Sequence, residues 1–134
     1  MSINSFQLWN RSFGWGVFTI ALLTFGLTVE PTASFWDAGE YIATAAKLQV
    51  GHPPGAPLFQ MMGAFFALFS PSPENIALMV NYMSVFSSAF SVLFLFWTLT
   101  LLMKKLPIFK SLDNIYERLT FFGSAAVGAL AFCF

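Results

Sequence analysis

Long apolar segments separated by short polar ones dominate the pattern along this chain. The first covers residues 8–29 and ends before Glu30, and a second covers residues 73–103 without a charge after Glu74. At about 1.5 Å per residue, each is long enough as a helix to cross a hydrocarbon core of about 30 Å. The first is also longer than the apolar core of a cleaved signal peptide. The pattern predicts an all-α integral membrane protein with two complete transmembrane helices and the truncated start of a third at 119–134.

Composition supports a membrane protein and excludes several other classes. Hydrophobic residues make up 57% of the chain and charged residues only 9%, whereas a typical soluble domain is about 25% charged. Six Lys and Arg balance six Asp and Glu, which argues against a basic nucleic-acid binder. The single cysteine, Cys133, excludes an intramolecular disulfide framework. Because a membrane crossing needs about 20 residues and the last apolar stretch is shorter, we expect this to be the N-terminal part of a longer polypeptide.

The segment between the first two spans, residues 30–72, breaks into two short pieces. Residues 38–48 can form a helix, which the following Gly and Pro run ends. Residues 57–69 would extend only about 20 Å as a helix, and stretches of this length are more often interfacial or re-entrant than spanning. We therefore expect the helix at residues 57–69 to lie along the membrane surface and not to cross the bilayer.

The distribution of positive charge predicts the membrane topology. Four of the six cations are close together at Lys104, Lys105, Lys110 and Arg118. The positive-inside rule places residues 104–118 in the cytoplasm. The N-terminus is then also cytoplasmic and residues 30–72 are extracytoplasmic, which requires that residues 57–69 do not cross the bilayer.

Two carboxylates mark the start of the first short helix. Asp37 and Glu40 are three residues apart, so on a helix both point to one side. Partial desolvation beside a bilayer would raise their pKa values and suit them to accept protons. The same spacing fits a capping box in which Asp37 caps the helix and Glu40 completes the box. The two interpretations are compatible, because a cap also fixes a carboxylate in place.

A stiff turn carries the only histidine. His52 lies between Gly51 and the pair Pro53 and Pro54. A stiff loop loses less entropy when it is held against a ligand, although a histidine in such a turn is often structural. A metal site formed by His52 with either carboxylate has no supporting ligand spacing.

Other polar and aromatic residues of this segment have two interpretations. Lys47, its only cation, could bind an anionic phosphate or extend toward lipid headgroups. Phe35, Trp36 and Tyr41 are most simply interfacial anchors.

Two motifs resemble a known family. FWDAGEY at residues 35–41 and GHPPG at residues 51–55 are similar to those of large multi-pass membrane proteins that are frequent in Bacteroidota and include an animal protein O-mannosyltransferase. More distantly, the pattern resembles the GT-C glycosyltransferases, which carry an Asp/Glu motif in the first extracytoplasmic loop and a Pro-Pro motif after it.

The resemblance implies a GT-C-like fold with two interfacial helices on the outer face of a bacterial inner membrane. It implies transfer of a sugar, mannose by the family pattern, from a polyprenyl-phosphate donor to a Ser or Thr hydroxyl of a protein at the periplasmic face. Transfer to a lipid or another glycan, and a non-catalytic scaffold or subunit of an envelope complex, remain alternatives. No cofactor is implied with certainty, and a divalent metal is left open.

The resemblance also assigns roles within the loop. Asp37 would be the general base that takes the proton of the acceptor hydroxyl, and Glu40 would orient the acceptor or support Asp37. The expected substrate-binding residues, near the donor, are Lys47, His52, Pro53 and Pro54. The expected partners are membrane lipid, the lipid-linked donor and an acceptor protein, with no nucleic acid.

Overall fold

The computed structural model describes residues 3–34, 36–109 and 112–133. Regular structure within these ranges is helical throughout, with no strand, which confirms the predicted all-α class. The predicted anchor Phe35 and the predicted cytoplasmic cation Lys110 lie outside the described residues. The chain divides into two compact units, one formed by Met1–Phe25 with Ser88–Phe134 and the other by Gly26–Ser87.

The α-helices of the described residues follow the apolar pattern. In chain order they are α1 (Ile3–Leu27), α2 (Ala38–Lys47), α3 (Pro57–Ala67), α4 (Ile76–Met103) and α5 (Ile115–Leu130). A 3-10 turn, Pro73–Asn75, leads into α4. Leu48, with a left-handed φ of 50°, ends α2, and Pro57 occupies the first turn of α3, where its missing N–H costs no helical hydrogen bond.

Among the described residues, Pro73–Met103 is the one helical segment long and apolar enough to cross a membrane, with 31 residues and a mean hydropathy of 2.0. Only 33% of its most apolar stretch is buried, as expected for a helix with lipid-facing surface. Helix α1 has 25 residues and is long enough to cross, but Asn10 and Arg11 make its first half more polar, and the helix as a whole is not apolar enough. The predicted second complete span is therefore unconfirmed.

The unit formed by Met1–Phe25 and Ser88–Phe134 has an aromatic core. Phe96, Phe121 and Phe122 are fully buried there. Gly14 allows close packing, because a Cβ there would lie 2.6 Å from Nε1 of Trp97.

Helix α5 begins at Ile115, before the predicted start at residue 119, because Asn114 caps it. The Asn114 side chain accepts a hydrogen bond from the backbone N–H of Glu117 at 2.9 Å. The Glu117 carboxylate in turn accepts from the backbone N–H of Asp113 at 2.9 Å. This reciprocal pattern satisfies donors that a helix start leaves without intrahelical partners.

The Gly26–Ser87 unit contains α2, α3 and the first part of α4. Helices α2 and α3 approach closely at Ala45 and Gly63, since a Cβ on Gly63 would lie 2.8 Å from the Ala45 Cβ. The Asn81 side chain on α4 donates to the backbone carbonyls of Glu30 and Thr32 at 2.8 and 3.0 Å. These bonds fix the segment that leads into α2.

One face of α3 is apolar and exposed. Leu58, Met61, Phe65 and Leu68 recur at helical spacing, and each is at least 57% exposed. An apolar helix face left open in this way is what an interfacial helix needs to enter the headgroup region.

Candidate functional site

Asp37 lies at the N-cap position of α2, but its side chain does not cap the helix. Its backbone carbonyl accepts from the N–H of Tyr41 at 2.9 Å, while the side chain makes no capping hydrogen bond. Trp36, just before it, has a left-handed φ of 64° and is 97% exposed. The capping interpretation of the Asp37 side chain is therefore wrong, and its carboxylate is exposed at the start of the helix.

Glu40 completes no capping box because both of its carboxylate oxygens contact His52. Oε1 accepts from the backbone N–H of His52 at 2.7 Å, and Oε2 lies 2.7 Å from Nδ1 of the ring. Because an ionised carboxylate can only accept hydrogen bonds, Nδ1 carries the proton in this contact. The sequence pattern singled out both residues but did not predict that they pair.

The pair shifts the two pKa values in opposite directions. The pKa of Glu40 is lowered, first by the backbone N–H of His52 and then by its ring. The pKa of His52 is raised, first by the hydrogen bond to Glu40 and then by the charge of that carboxylate, with a smaller effect from Asp37. The expected rise in the pKa of Glu40 is therefore wrong, since these hydrogen bonds outweigh desolvation. The ionic form, carboxylate and imidazolium, is the one favoured.

A tight turn presents the imidazole. The N–H of Gly55 donates to the carbonyl of His52 at 2.9 Å, and the bond between Pro53 and Pro54 is cis. Gly55 has a φ of 75°, a conformation that favours glycine. Both prolines are exposed, as is 51% of the His52 side chain.

Two buried polar side chains support the Glu40–His52 pair. Thr44 and Gln60 are each 8% exposed. The Thr44 hydroxyl donates to the backbone carbonyl of Glu40 at 2.8 Å, and the Gln60 amide donates to that hydroxyl at 3.4 Å. Gly51 allows close approach, because a Cβ there would lie 3.1 Å from Nε2 of Gln60 and 3.2 Å from Oε1 of Glu40. These residues were not predicted, although Gln60 stands out as the one strongly polar side chain within residues 57–69.

Lys47 is not part of this cluster. It is in the last turn of α2, seven residues after Glu40 and therefore about 10 Å along the helix axis. There it lines an open groove of about 530 Å³ whose other lining side chains, among them Met61, Phe65 and Leu68, are apolar. The structure therefore separates two residues, Lys47 and His52, that were both expected at the donor.

Tyr41 also differs from its predicted role. Its ring packs edge-on against Phe59 of α3, with ring centroids 5.3 Å apart. It joins α2 to α3 and is only partly exposed, whereas Trp36 has the exposure that an interfacial anchor requires.

The residues of this cluster do not fit a metal site. In the described part of the chain, no three His, Cys, Asp or Glu side chains come together in a way that could hold a metal ion. Glu40 and the Nδ1 of His52 are occupied by their mutual bonds.

Comparison with known proteins connects this loop to a family. The family model of the Protein O-mannosyl-transferase TMEM260 N-terminal domain matches residues 37–134, so the match starts at the first of the two carboxylates. The chain belongs to this family. The predicted relationship to protein O-mannosyltransferases is thereby confirmed.

One curated relative extends the comparison. The protein O-mannosyl-transferase tmem260 of Dictyostelium discoideum is 33% identical over 86 residues, which cover 63% of this chain. The aligned part of the chain spans only about a tenth of the length of that relative. No solved structure gives a significant match.

Proposed function

We propose that the protein is a membrane glycosyltransferase that moves mannose from a polyprenyl-phosphate donor to a Ser or Thr hydroxyl of an acceptor protein. The observation that carries this proposal is the family match over residues 37–134, which contains Asp37, Glu40 and the His52 turn. The Dictyostelium relative is itself named a protein O-mannosyl-transferase. A lipid-linked donor also suits a loop whose α3 face is apolar and exposed.

In this proposal Asp37 is the general base. Its carboxylate is exposed and makes no capping bond, so it can take the proton of the acceptor hydroxyl. The hydroxyl oxygen forms a bond to the anomeric carbon as the bond from that carbon to the phosphate oxygen breaks. The electron pair stays on the departing polyprenyl phosphate, and attack opposite to it inverts the anomeric carbon. A phosphate leaving group needs stabilisation of its growing charge more than a proton.

The same proposal places α2 and α3 at the periplasmic face of a bacterial inner membrane, with the N-terminus in the cytoplasm. Lys104, Lys105 and Arg118, which follow the long apolar segment Pro73–Met103, support this orientation by the positive-inside rule. On this topology, the exposed face of α3 lies at the lipid surface, where a polyprenyl donor and an acceptor protein can both reach Asp37.

The substitution Asp37→Asn in the intact protein tests the proposal. Loss of a general base should lower mannose transfer by about 100-fold or more, while membrane insertion and accumulation stay normal. The matched control is Glu74→Gln, which removes an exposed carboxylate of the same unit outside the cluster and should leave transfer unchanged. Radiolabelled mannose is followed into protein, lipid and glycan fractions of membranes that contain each variant.

Each other outcome contradicts a stated part of the proposal. Full transfer by Asp37→Asn would remove the base assignment. Label in lipid or glycan, and none in protein, would change the acceptor class. A wild-type protein that transfers no sugar but is still required for assembly of an envelope complex would be the non-catalytic scaffold.

A further inference from the structure

Few groups in the Gly26–Ser87 unit can balance the charge of a phosphate. Between these residues the sequence has one Lys or Arg, Lys47, and one histidine, His52. Lys47 lies in the apolar groove at the far end of α2. His52 is at the end of α2 that carries Asp37, close enough for the two side chains to interact electrostatically. In the described part of this unit, His52 is therefore the group able to carry positive charge that the structure places beside Asp37.

The geometry of Glu40 shows how the ring is held. Two contacts of 2.7 Å, one to the backbone N–H of His52 and one to Nδ1, fix the loop and the ring together. With Nδ1 engaged, Nε2 is the ring nitrogen left for a ligand. The depression between Glu40, His52 and Gln60 has no room for a water molecule, so a ligand must approach the ring from its exposed side.

The same contacts restrict what Glu40 can do. Each carboxylate oxygen of Glu40 contacts His52, so Glu40 is placed to act through His52. This differs from the role that the family resemblance implies, in which Glu40 orients the acceptor or supports Asp37.

We propose that His52, as the imidazolium, binds the phosphate of the lipid-linked donor through Nε2, and that Glu40 is the positioning residue for that ring. The inference rests on the proposed function, which supplies the phosphate. During transfer the phosphate changes from a diester with one negative charge to a monoester with two. A fixed imidazolium therefore binds the departing group more tightly than the bound donor, which lowers the barrier to transfer.

The charged groups around the His52 ring determine how phosphate affinity should change with pH. Asp37, Glu40 and Tyr41 face it from α2, and α3 contributes the neutral Gln60. Glu40 and, more weakly, Asp37 raise the pKa of His52. Phosphate affinity should therefore be high below this raised pKa and fall as the pH rises through it. If His52 were instead a general base, activity would fall as the pH drops through the same pKa.

The experiment measures phosphate binding directly, without mannose transfer. Farnesyl phosphate and, separately, inorganic phosphate are titrated into the intact protein in phosphatidylcholine nanodiscs. The ¹⁵N and ¹H shifts of the His52 ring are recorded against pH and assigned by their loss in His52→Gln. We expect farnesyl phosphate to raise the pKa of His52 further, and its affinity to fall above that pKa.

Two variants separate positioning from a general charge effect. Glu40→Gln keeps an amide oxygen for the backbone N–H but removes the charge, so it should lower the pKa of His52. At neutral pH it should weaken farnesyl phosphate binding by about tenfold, which is the loss of affinity expected when one charge-assisted hydrogen bond is weakened. Glu74→Gln, exposed and in the same unit, should change neither quantity. If Glu40→Gln does not fold, Glu40→Asp and the pH titration of the wild-type protein give the same test.

Specific results would overturn the inference. Farnesyl phosphate affinity that is independent of pH or rises with it would do so, as would a Glu40→Gln variant with unchanged affinity and unchanged pKa of His52. A response to inorganic phosphate alone would refute the assignment to a lipid-linked donor. A protein that binds farnesyl phosphate as expected but transfers no mannose would contradict only the proposed function. One that transfers mannose without a phosphate response at His52 would contradict only this inference.

Discussion

The substitution Gly63→Ala tests whether close packing of α2 on α3 holds the site together. The added Cβ would lie 2.8 Å from the Ala45 Cβ and 3.5 Å from Cγ1 of Val80. Carbon atoms in good contact are about 3.5–4.0 Å apart, so the two helices must separate by about 1 Å. Overpacking of this kind costs about 1–3 kcal/mol, whereas Gly→Ala in a helix otherwise gains about 1 kcal/mol. The net expectation is a destabilisation of up to about 2 kcal/mol.

The assay is the free energy of unfolding of the intact protein in detergent micelles, measured by chemical denaturation. The matched control is Gly39→Ala in α2, where a Cβ would meet only the Ala33 Cβ at an ordinary 3.8 Å. This variant should be stabilised by about 1 kcal/mol. The double variant Ala45→Gly with Gly63→Ala removes the opposing methyl group. It should recover most of the loss, with a coupling energy of about 1–3 kcal/mol.

Two results would refute this reasoning. One is a Gly63→Ala variant as stable as Gly39→Ala, and the other is a double variant whose stability equals the sum of the single effects. Because Glu40 lies on α2 and His52 precedes α3, separation of the helices should also weaken their contact and lower the pKa of His52. Reduced stability with an unchanged pKa of His52 would show that the pair forms independently of this packing.

Three further predictions concern pH, topology and a helix cap. The Glu40–His52 pair should stabilise the protein fully between about pH 4.3 and 6.5. Its contribution should be lost as the pH falls through the lowered pKa of Glu40 or rises through the raised pKa of His52, and His52→Gln should remove both changes from melting temperatures measured against pH. In a background without the native cysteine, an impermeant thiol reagent applied to intact cells should label a cysteine at Ser34 and should not label one at Ser111, which lies outside the described residues. The reverse labelling would show that the proposed topology is inverted. Asn114→Ala removes the cap of α5 and should lower the free energy of unfolding by about 1 kcal/mol, and an unchanged value would show that the cap contributes nothing.

The helices were predictable because their ends depend on local chemistry. The Gly and Pro run at residues 51–57 separates the two short helices, Pro57 lies in the first turn of the second, and apolar runs mark the longer helices. Helix α5 begins earlier than its apolar run indicates, because Asn114 and Glu117 start the helix with polar contacts. In α1 the apolar run includes polar residues in its first half, so the pattern alone does not distinguish a membrane crossing from a helix that is only partly apolar.

The sequence singles out individual residues of the candidate site but does not predict their arrangement. Asp37, Glu40 and His52 were each singled out, and the spacing of the two acids locally favours a capping box. The structure contains no capping box formed by Asp37 and Glu40, because the turn after α2 brings both the backbone N–H and the imidazole of His52 to the Glu40 carboxylate. The contact between Glu40 and His52 depends on the conformation of the turn and on the hydrogen bonds from Gln60 to Thr44 and from Thr44 to Glu40. Neither is encoded in the spacing of the acids.

The parts of this site are unusually near one another in the sequence. Asp37, Glu40, His52 and the supporting Gln60 belong to one short stretch that makes its own turn. Closing a short loop costs little chain entropy, so the contact between Glu40 and His52 can form early in folding, from residues that are close along the chain.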